Sequence, residues 1–454
     1  MAIFSQVLPD LAPILKISTE FFLHGLPFKY VWIFSGWIYF ILGIIYLLWK
    51  SYLLEIQHQF VHNNKFIFLN IRVPKENMVS TLAVETIFSQ LHALHVAKTF
   101  AEKYVEGQFQ LWYSLEIVSF GGKISFIMRI PDKMKYTVEA AFYAHYPQAE
   151  ITEVDDYISN YNYNADDPNE PTEMFGTEWK LTADEVIPIK TYKDFEHSTA
   201  EESIIDPLAN LFEALSKIEP HEVFAIQIII QPLGDEEWKP KAEAKIQELI
   251  GAEAKHDLKF SDTLLSPITK FAKFSYKEAL LAHSHGHGEE GSKPKTNWLS
   301  MTEGEKERVT LIEQKISKPG YKTKIRFLYI APKDKYDPSR RSLIIGAYRP
   351  LGSVMTNKLK PDTSTTWTGT DYVFSKGLEA PYLDWVLKYK KRHFIRGFKQ
   401  RDVHIGIPMF ILNTDEISTL YHFPITTKTT TVQSSIERTE SKKGQPPSNL
   451  PVLE

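Results

Sequence analysis

Three histidines in one glycine-spaced loop come closest to the residue pattern of a metal site. His283, His285 and His287 occupy every second position, and His256 and two glutamates lie nearby in the chain. Imidazole nitrogens grouped in this way can ligate a soft divalent ion. The glycines between them make the loop poorly preorganised, so a solvated low-complexity loop is the alternative interpretation.

The most basic stretch of the chain, 388–401, is a candidate for binding a polyanion. Its cations are interleaved with Tyr389, Phe394 and Phe398. Basic groups contact phosphates and aromatic rings stack on unpaired bases, which suits nucleic acid. Acidic lipid headgroups or an acidic partner would use the same charge. A solvated helix face with aromatic core anchors is the remaining interpretation. The candidate binding residues are Lys390, Lys391, Arg392, Arg396, Lys399 and Arg401.

Catalytic machinery is not recognisable in the sequence, so we predict neither an enzyme nor a bound cofactor. The nearest string to a phosphate-binding loop is Gly121-Gly122-Lys123, but Ile117 stands where its first glycine should be and Ile124 where Ser or Thr should be. The 454 residues include no cysteine, which excludes disulfides, thiolate metal sites and a cysteine nucleophile. An enzyme would have to assemble its catalytic groups from distant positions.

An uncharged apolar run near the N-terminus predicts a membrane anchor. Residues 30–49 carry no charged side chain and would form a helix about 30 Å long, which matches the hydrocarbon thickness of a bilayer. We predict an interfacial segment at 1–29, the span at 30–49 and a juxtamembrane helix at 50–62. Slightly more basic residues follow the span than precede it, which favours a single-pass protein of the cell membrane with a cytoplasmic C-terminal part.

Past the anchor, alternating strand and helix patterns predict two α+β domains. In the first, 63–157, strands at 66–73, 109–118, 123–130 and 151–154 and two helices give the order β-α-β-β-α-β, that of a ferredoxin-like sandwich. An acidic linker at 158–178 follows. The rhythm then returns over 179–425, with strands at 186–192, 223–231, 325–330 and 405–412. A largely helical insertion at 235–321 interrupts it. The fold class is therefore α+β, with two such sandwiches behind a transmembrane helix.

The C-terminal region contains a helix-start signal and a proline-rich tail. Asn413 or Thr414 can cap a short helix, and Asp415 and Glu416 lie near its positive end. Residues 426–454 read as a flexible tail, which is a spacer or a docking peptide. The candidate partner-docking residues are Tyr421, His422, Phe423, Pro446, Pro447 and Leu450.

Several of these segments resemble an uncharacterised membrane-anchored family from bacteria of the candidate phyla. The resemblance rests on the span, 114–118 (Ser-Leu-Glu-Ile-Val), 143–154, 206–208 (Asp-Pro-Leu) and the tail motifs. In similar proteins the Asn-Thr-Asp/Glu-Glu…Tyr-His-Phe-Pro segment and the Pro-Pro-x-Asn-Leu-Pro exit lead into an ATPase of the type IV secretion or HerA/FtsK-like kind. This sequence ends at Glu454, where that motor would begin. The resemblance implies an accessory half whose motor is encoded separately or absent.

Two hypotheses of different class follow. The first is a non-enzymatic scaffold, held in the lipid bilayer by residues 30–49, that positions a separate DNA- or protein-translocating P-loop ATPase. Such motors are commonly rings, which leaves a homo-oligomer open by analogy. The second is a membrane-tethered nucleic-acid-binding protein that uses the basic stretch 388–401.

Overall fold

The computed structural model describes residues 28–74, 79–159, 161, 163–167, 169–195, 205–250, 301–369 and 381–424. The chain forms two compact units. One contains the N-terminal helix and residues 98–109, and the other contains the remaining described elements. Each unit is described by itself.

The described residues form ten α-helices and nine strands, which we number separately in chain order. The helices are α1 (Phe28–Asn63), α2 (Thr81–His92), α3 (Phe100–Tyr104), α4 (Lys135–His145), α5 (Ala209–Ser216), α6 (Asp235–Leu249), α7 (Glu303–Ile316), α8 (Arg340–Ala347), α9 (Pro381–Gln400) and α10 (Thr414–Leu420). The strands are β1 (Phe66–Arg72), β2 (Tyr113–Phe120), β3 (Lys123–Pro131), β4 (Glu150–Val154), β5 (Thr172–Leu181), β6 (Val223–Leu233), β7 (Gly320–Pro332), β8 (Leu359–Pro361) and β9 (Phe410–Asn413).

Helix α1 is the one helix in the described part of the chain that is long and apolar enough to cross a membrane. The qualifying segment is Trp37–Asn63, with a mean hydropathy of 1.6 and none of its apolar window buried in the protein. The predicted span and the predicted juxtamembrane helix are parts of this single helix. In the same unit, the α1 residue Trp49 stacks on Tyr104 of α3, with ring centroids 6.2 Å apart. Gly107 has φ +67°, and its α-carbon approaches the Ile56 backbone too closely for a side chain.

The second unit is built on one antiparallel sheet whose described strands run in the order β4-β1-β3-β2-β6-β7-β5-β8, with β9 on the first residues of β7. The predicted α+β class with an antiparallel sheet is confirmed. Strands β2 and β6 pair along their whole common length, from Tyr113↔Ile230 to Phe120↔Val223. The first half of the sheet has the strand order β4-β1-β3-β2, and the second half has the order β6-β7-β5-β8. When the strands of each half are numbered from its own first strand, the second order is the reverse of the first. The continuous sheet that results was not predicted.

Each side of the sheet has its own hydrophobic core, since successive side chains on a strand point to opposite faces. On one face, Leu115 and Ile117 of β2 pack with residues of α2, α4, α5, α8 and α10. On the other face, Val118 of β2 packs under Phe394 and Phe398 of α9. Strands β2 and β3 are joined by the predicted glycine hairpin, in which Gly121 and Gly122 have φ of +54° and +86°. A third cluster joins α6 to α7.

Three sequence-based assignments in the second half are wrong. Strand β5 begins inside the predicted linker 158–178, whereas 186–191 are irregular and a short 3₁₀ segment begins at Tyr192. The 186–192 run is apolar because Val186 packs against α6 and α7, so its burial does not require a ladder. The predicted closing strand at 405–412 is also displaced. Strand β9 begins at Phe410 and pairs with β7, and the edge of the sheet is the short strand β8.

Candidate functional site

Helix α9 carries the basic stretch across the second face of the sheet. Its inner side consists of Phe394, Ile395 and Phe398, all buried against the strands. At Gly176 of β5 the fit is so close that a β-carbon would overlap the Phe394 ring. The close packing requires a glycine at position 176, because a side chain there would push α9 away from the sheet.

The cations of α9 differ in the groups that they contact. Lys391 Nζ lies 2.5 Å from the Glu173 carboxylate, and Arg392 Nη1 lies 2.7 Å from Asp166. Lys390 Nζ donates to the Ser364 carbonyl at 2.9 Å. Lys399 is half-buried, and Arg396 is exposed and has no hydrogen bond or ion pair with any residue described by the structure. The stretch is therefore not one uniform cationic surface.

Arg401 does not lie on that surface. Its side chain is 1% exposed and forms ion pairs with Glu116 on β2, at 2.9 Å, and Asp156, at 2.5 Å. Burial disfavours the charged guanidinium, but the two carboxylates outweigh it and raise the pKa of Arg401. Arg401 also has φ +52° at the end of α9, where glycine is the usual residue. The two ion pairs fix its side chain in the core, so Arg401 is not part of the exposed cationic side of α9.

A row of buried polar side chains crosses the centre of the sheet beneath α9. Glu116 faces Gln227 on β6, Gln227 faces Arg326 on β7, and Arg326 faces Glu178 on β5 in the strand register. Gln227 Nε2 donates to Glu116 at 3.2 Å, and Arg326 Nε donates to Glu178 at 2.8 Å. Buried polar groups that satisfy one another favour one register. The row connects the two halves of the sheet through Glu116 and Gln227, at the pairing of β2 with β6.

The C-terminal helix α10 begins with the predicted capping signal. Asn413 is the N-cap: its side-chain oxygen accepts the Glu416 N–H at 2.9 Å, and Glu416 accepts the Asn413 N–H at 2.9 Å. Glu416 also pairs with Lys315 at the end of α7, 2.9 Å away, and both side chains are fully buried. The segment therefore joins α10 to the distant insertion helix α7, which its sequence alone does not reveal.

An acidic pair lies where α10 meets α2. Burial raises the pKa of Glu85, but hydrogen bonds with Asp415, Lys318 and Tyr192 outweigh it and lower the pKa to about 2. Burial, followed by the hydrogen bond with Glu85, raises the pKa of Asp415 to about 6 in spite of Lys193 at 2.7 Å. The carboxyl of Asp415 therefore binds a proton more tightly in the folded protein than in the unfolded chain.

Tyr421, His422 and Phe423 were predicted to dock a partner, but all three are buried in the core of this unit. Phe423 contacts the Phe126 ring at a centroid distance of 4.9 Å. His422 Nε2 lies 3.0 Å from the Asp206 carboxylate, which also accepts the Leu208 N–H. The docking prediction is wrong for these three residues, because side chains that follow the C-terminal end of a helix can be buried in the adjacent core.

A cleft of about 480 Å³ opens beside the first turns of α9. Its lining includes positively charged residues, Lys333, Lys388 and Lys391, and negatively charged residues, Glu170 and Glu173. Because Lys391 and Glu173 pair directly, the cleft has little excess charge with which to select an anion.

The sequence analysis named Tyr389 as a ring that could stack on a base, but it missed Trp385 and His393 on either side of it along α9. Trp385 and Tyr389 stack at a centroid distance of 5.9 Å, and Tyr389 and His393 stack at 5.5 Å. The signal was present as three aromatic rings at i, i+4 and i+8, the spacing that places side chains on one helix face.

Other candidates lie outside the described residues: His283, His285, His287, Pro446, Pro447 and Leu450. Among the residues that are described, no group of three or more His, Asp or Glu side chains is arranged to hold a metal ion.

Residues 56–435 match the model of a domain of unknown function, DUF8128. The chain belongs to this family. The DUF8128 region begins within α1 and extends past α10, so it includes the whole sheet, the buried polar row and α9. A search of curated proteins found no match to this chain.

Proposed function

We propose that this protein is a membrane-anchored, non-enzymatic scaffold that positions a separate DNA- or protein-translocating ATPase at the cytoplasmic face of the membrane. The ATPase would be of the type IV secretion or HerA/FtsK-like kind. In this proposal α1 is the anchor, and the two halves of the sheet are two ferredoxin-like βαββαβ sandwiches, the second enlarged by an insertion.

The observation that carries the proposal is that the residues at and just after α10 are held firmly in the core of the second unit. Asn413 and Glu416 fix the start of α10, Lys315 holds Glu416, and the rings of Tyr421 and Phe423 are buried beyond the helix end. A segment attached after Pro424 therefore leaves from a point that the core holds in place. A scaffold that must hold a partner under load requires such a fixed attachment point.

Co-purification with the full-length protein, extracted in a mild nonionic detergent, tests the proposal. We expect a P-loop ATPase to be recovered with it after crosslinking in cells. Substitution of Pro446, Pro447 and Leu450 by Ala should lower that recovery, because these residues form the proposed docking peptide. Substitution of 429–431, three threonines of the same tail, by Ala is the matched control. Recovery of no P-loop ATPase under conditions that preserve the complex would refute the proposal.

Nucleic-acid binding along the whole basic stretch 388–401 is the alternative, and the geometry supports it less well. Arg401 is committed to Glu116 and Asp156 in the core, and Lys391 is paired with Glu173. Neither cation is available to a phosphate without breaking a buried or half-buried ion pair.

A further inference from the structure

The outer face of α9 has an unusual composition for a solvated helix surface. From Trp385 to the end of the helix, the exposed residues are Trp385, Tyr389, Arg392, Arg396 and Gln400. Trp385 is 57% exposed and Tyr389 is 45% exposed. Large aromatic side chains are usually buried, and no acidic residue occurs between Trp385 and Gln400. We propose that this face binds single-stranded nucleic acid, with bases on the aromatic rings and phosphates on the two arginines.

The rings form a continuous ladder along the helix. The planes of Trp385 and Tyr389 differ by 22°, and those of Tyr389 and His393 differ by 14°. At 1.5 Å per residue the ladder extends about 12 Å along the helix axis. Near-parallel rings at one edge of a helix offer π-faces and edges to unpaired bases, and such stacking does not depend on base identity.

Both arginines are exposed near the C-terminal end of the ring ladder, where they can contact phosphates. Arg396 is exposed, without a partner among the described residues. Arg392 pairs with Asp166, but the two side chains are 46% and 48% exposed, and surface pairs of this kind are weak. A phosphate can therefore replace Asp166 at modest cost.

A lipid surface fits this face less well than a single strand. An interfacial helix inserts an apolar face into the headgroup region, with its cations at the sides. On α9 the apolar residues Phe394, Ile395 and Phe398 face the sheet, and the exposed face carries Arg392 and Arg396 on the same side as the aromatic rings. Duplex DNA fits less well because its bases are already stacked and paired.

Fluorescence anisotropy with the full-length protein in nonionic detergent and a labelled oligothymidylate of about 20 nucleotides tests the proposal. We expect salt-sensitive binding that is tighter than binding to a duplex of the same length. Changing both aromatics, W385A/Y389A, should weaken binding about tenfold or more, and W385F/Y389F should retain most of it. R392Q/R396Q should reduce the slope of log K against log salt by about 1.4, at about 0.7 per phosphate contact.

Tyr136→Ala on α4 is the matched aromatic control, since Tyr136 is 82% exposed on a different helix. It should leave the affinity unchanged. Absence of binding at low salt would overturn the proposal, and so would equal losses in the control and in W385A/Y389A. Tighter binding of the duplex, or displacement of the oligonucleotide by anionic vesicles but not by neutral ones, would assign the face to another ligand. None of these outcomes depends on recovery of an ATPase.

Discussion

Breaking the buried ion pair between Lys315 and Glu416 should destabilise the protein strongly. Neither side chain is exposed, and Lys315 Nζ also donates to the Glu185 carbonyl at 2.6 Å and the Ile411 carbonyl at 2.8 Å. Glu416 additionally accepts the Ile189 N–H at 2.8 Å. The pair thus joins α7, β9, α10 and the segment that precedes the 3₁₀ turn at Tyr192.

The expected magnitude follows from the burial. Removal of one partner of a buried pair leaves an uncompensated charge and costs about 3–5 kcal/mol in the free energy of unfolding. We expect Glu416→Gln and Lys315→Met each to fall in that range. The double variant leaves no buried charge, so its cost should be smaller than the sum of the two by about 2 kcal/mol or more.

Urea titration of the full-length protein in nonionic detergent, followed by tryptophan fluorescence, measures these changes. Lys306→Met is the matched control on the same helix: Lys306 pairs with Glu303 at 2.8 Å, but the Glu303 side chain is 91% exposed. Its effect should be about 0.2–1 kcal/mol. A cost below about 1 kcal/mol for Glu416→Gln, or strict additivity in the double variant, would refute the reasoning.

Three further predictions concern pH, packing and the anchor. Because the pKa of Asp415 rises from 3.8 to about 6 on folding, its contribution to stability is complete below pH 3.8 and is lost as the pH rises through about 6. Asp415→Asn should therefore flatten the dependence of the urea midpoint on pH in this window, and an unchanged slope would contradict the assignment. Gly176→Val should lower the free energy of unfolding, measured by thermal unfolding, by about 1–3 kcal/mol, because the new side chain overlaps Phe394. Phe394→Ala should then cost less stability in the Gly176→Val variant than it costs in the unsubstituted protein. Ile44→Arg places a charge in the span at about 2.5–3.5 kcal/mol and should lower the membrane fraction after a carbonate wash, whereas Leu82→Arg on α2 should not. Equal retention of both variants would show that α1 does not anchor the chain by crossing the bilayer.

Local sequence patterns were sufficient to predict an element where the residues that determine it lie within that element. Strand β3 is a short, mainly apolar run that is buried along almost its whole length, the glycine pair specifies the β2–β3 turn, and the Asn413–Glu416 spacing specifies the cap of α10. Each signal lies within a few residues of the structure that it forms. For that reason the α+β class, the hairpin and the helix start could be predicted from the sequence.

The errors occurred where burial depends on distant partners. Strand β5 looks like an acidic loop because Glu178 points into the core, and its partner Arg326 is 148 residues away. Arg401 looks like part of a surface patch because Glu116 lies 285 residues before it. A charged residue that is neutralised across the fold has the same sequence signature as one in solvent. The exposed ring of Tyr389 was not separated from the buried rings of Phe394 and Phe398 for the converse reason, since in a sequence an exposed ring resembles a core anchor.

The stability predictions also separate two ways in which the scaffold could fail. Glu416→Gln weakens the core that holds the chain exit, whereas Pro446, Pro447 and Leu450 lie outside the described residues. In a temperature range where the Glu416→Gln variant is still folded, a fall in ATPase recovery would mean that the partner depends on the fixed position of the exit. If recovery falls only with the unfolded fraction, the tail alone would suffice as a tether, and the buried motif would serve stability rather than positioning.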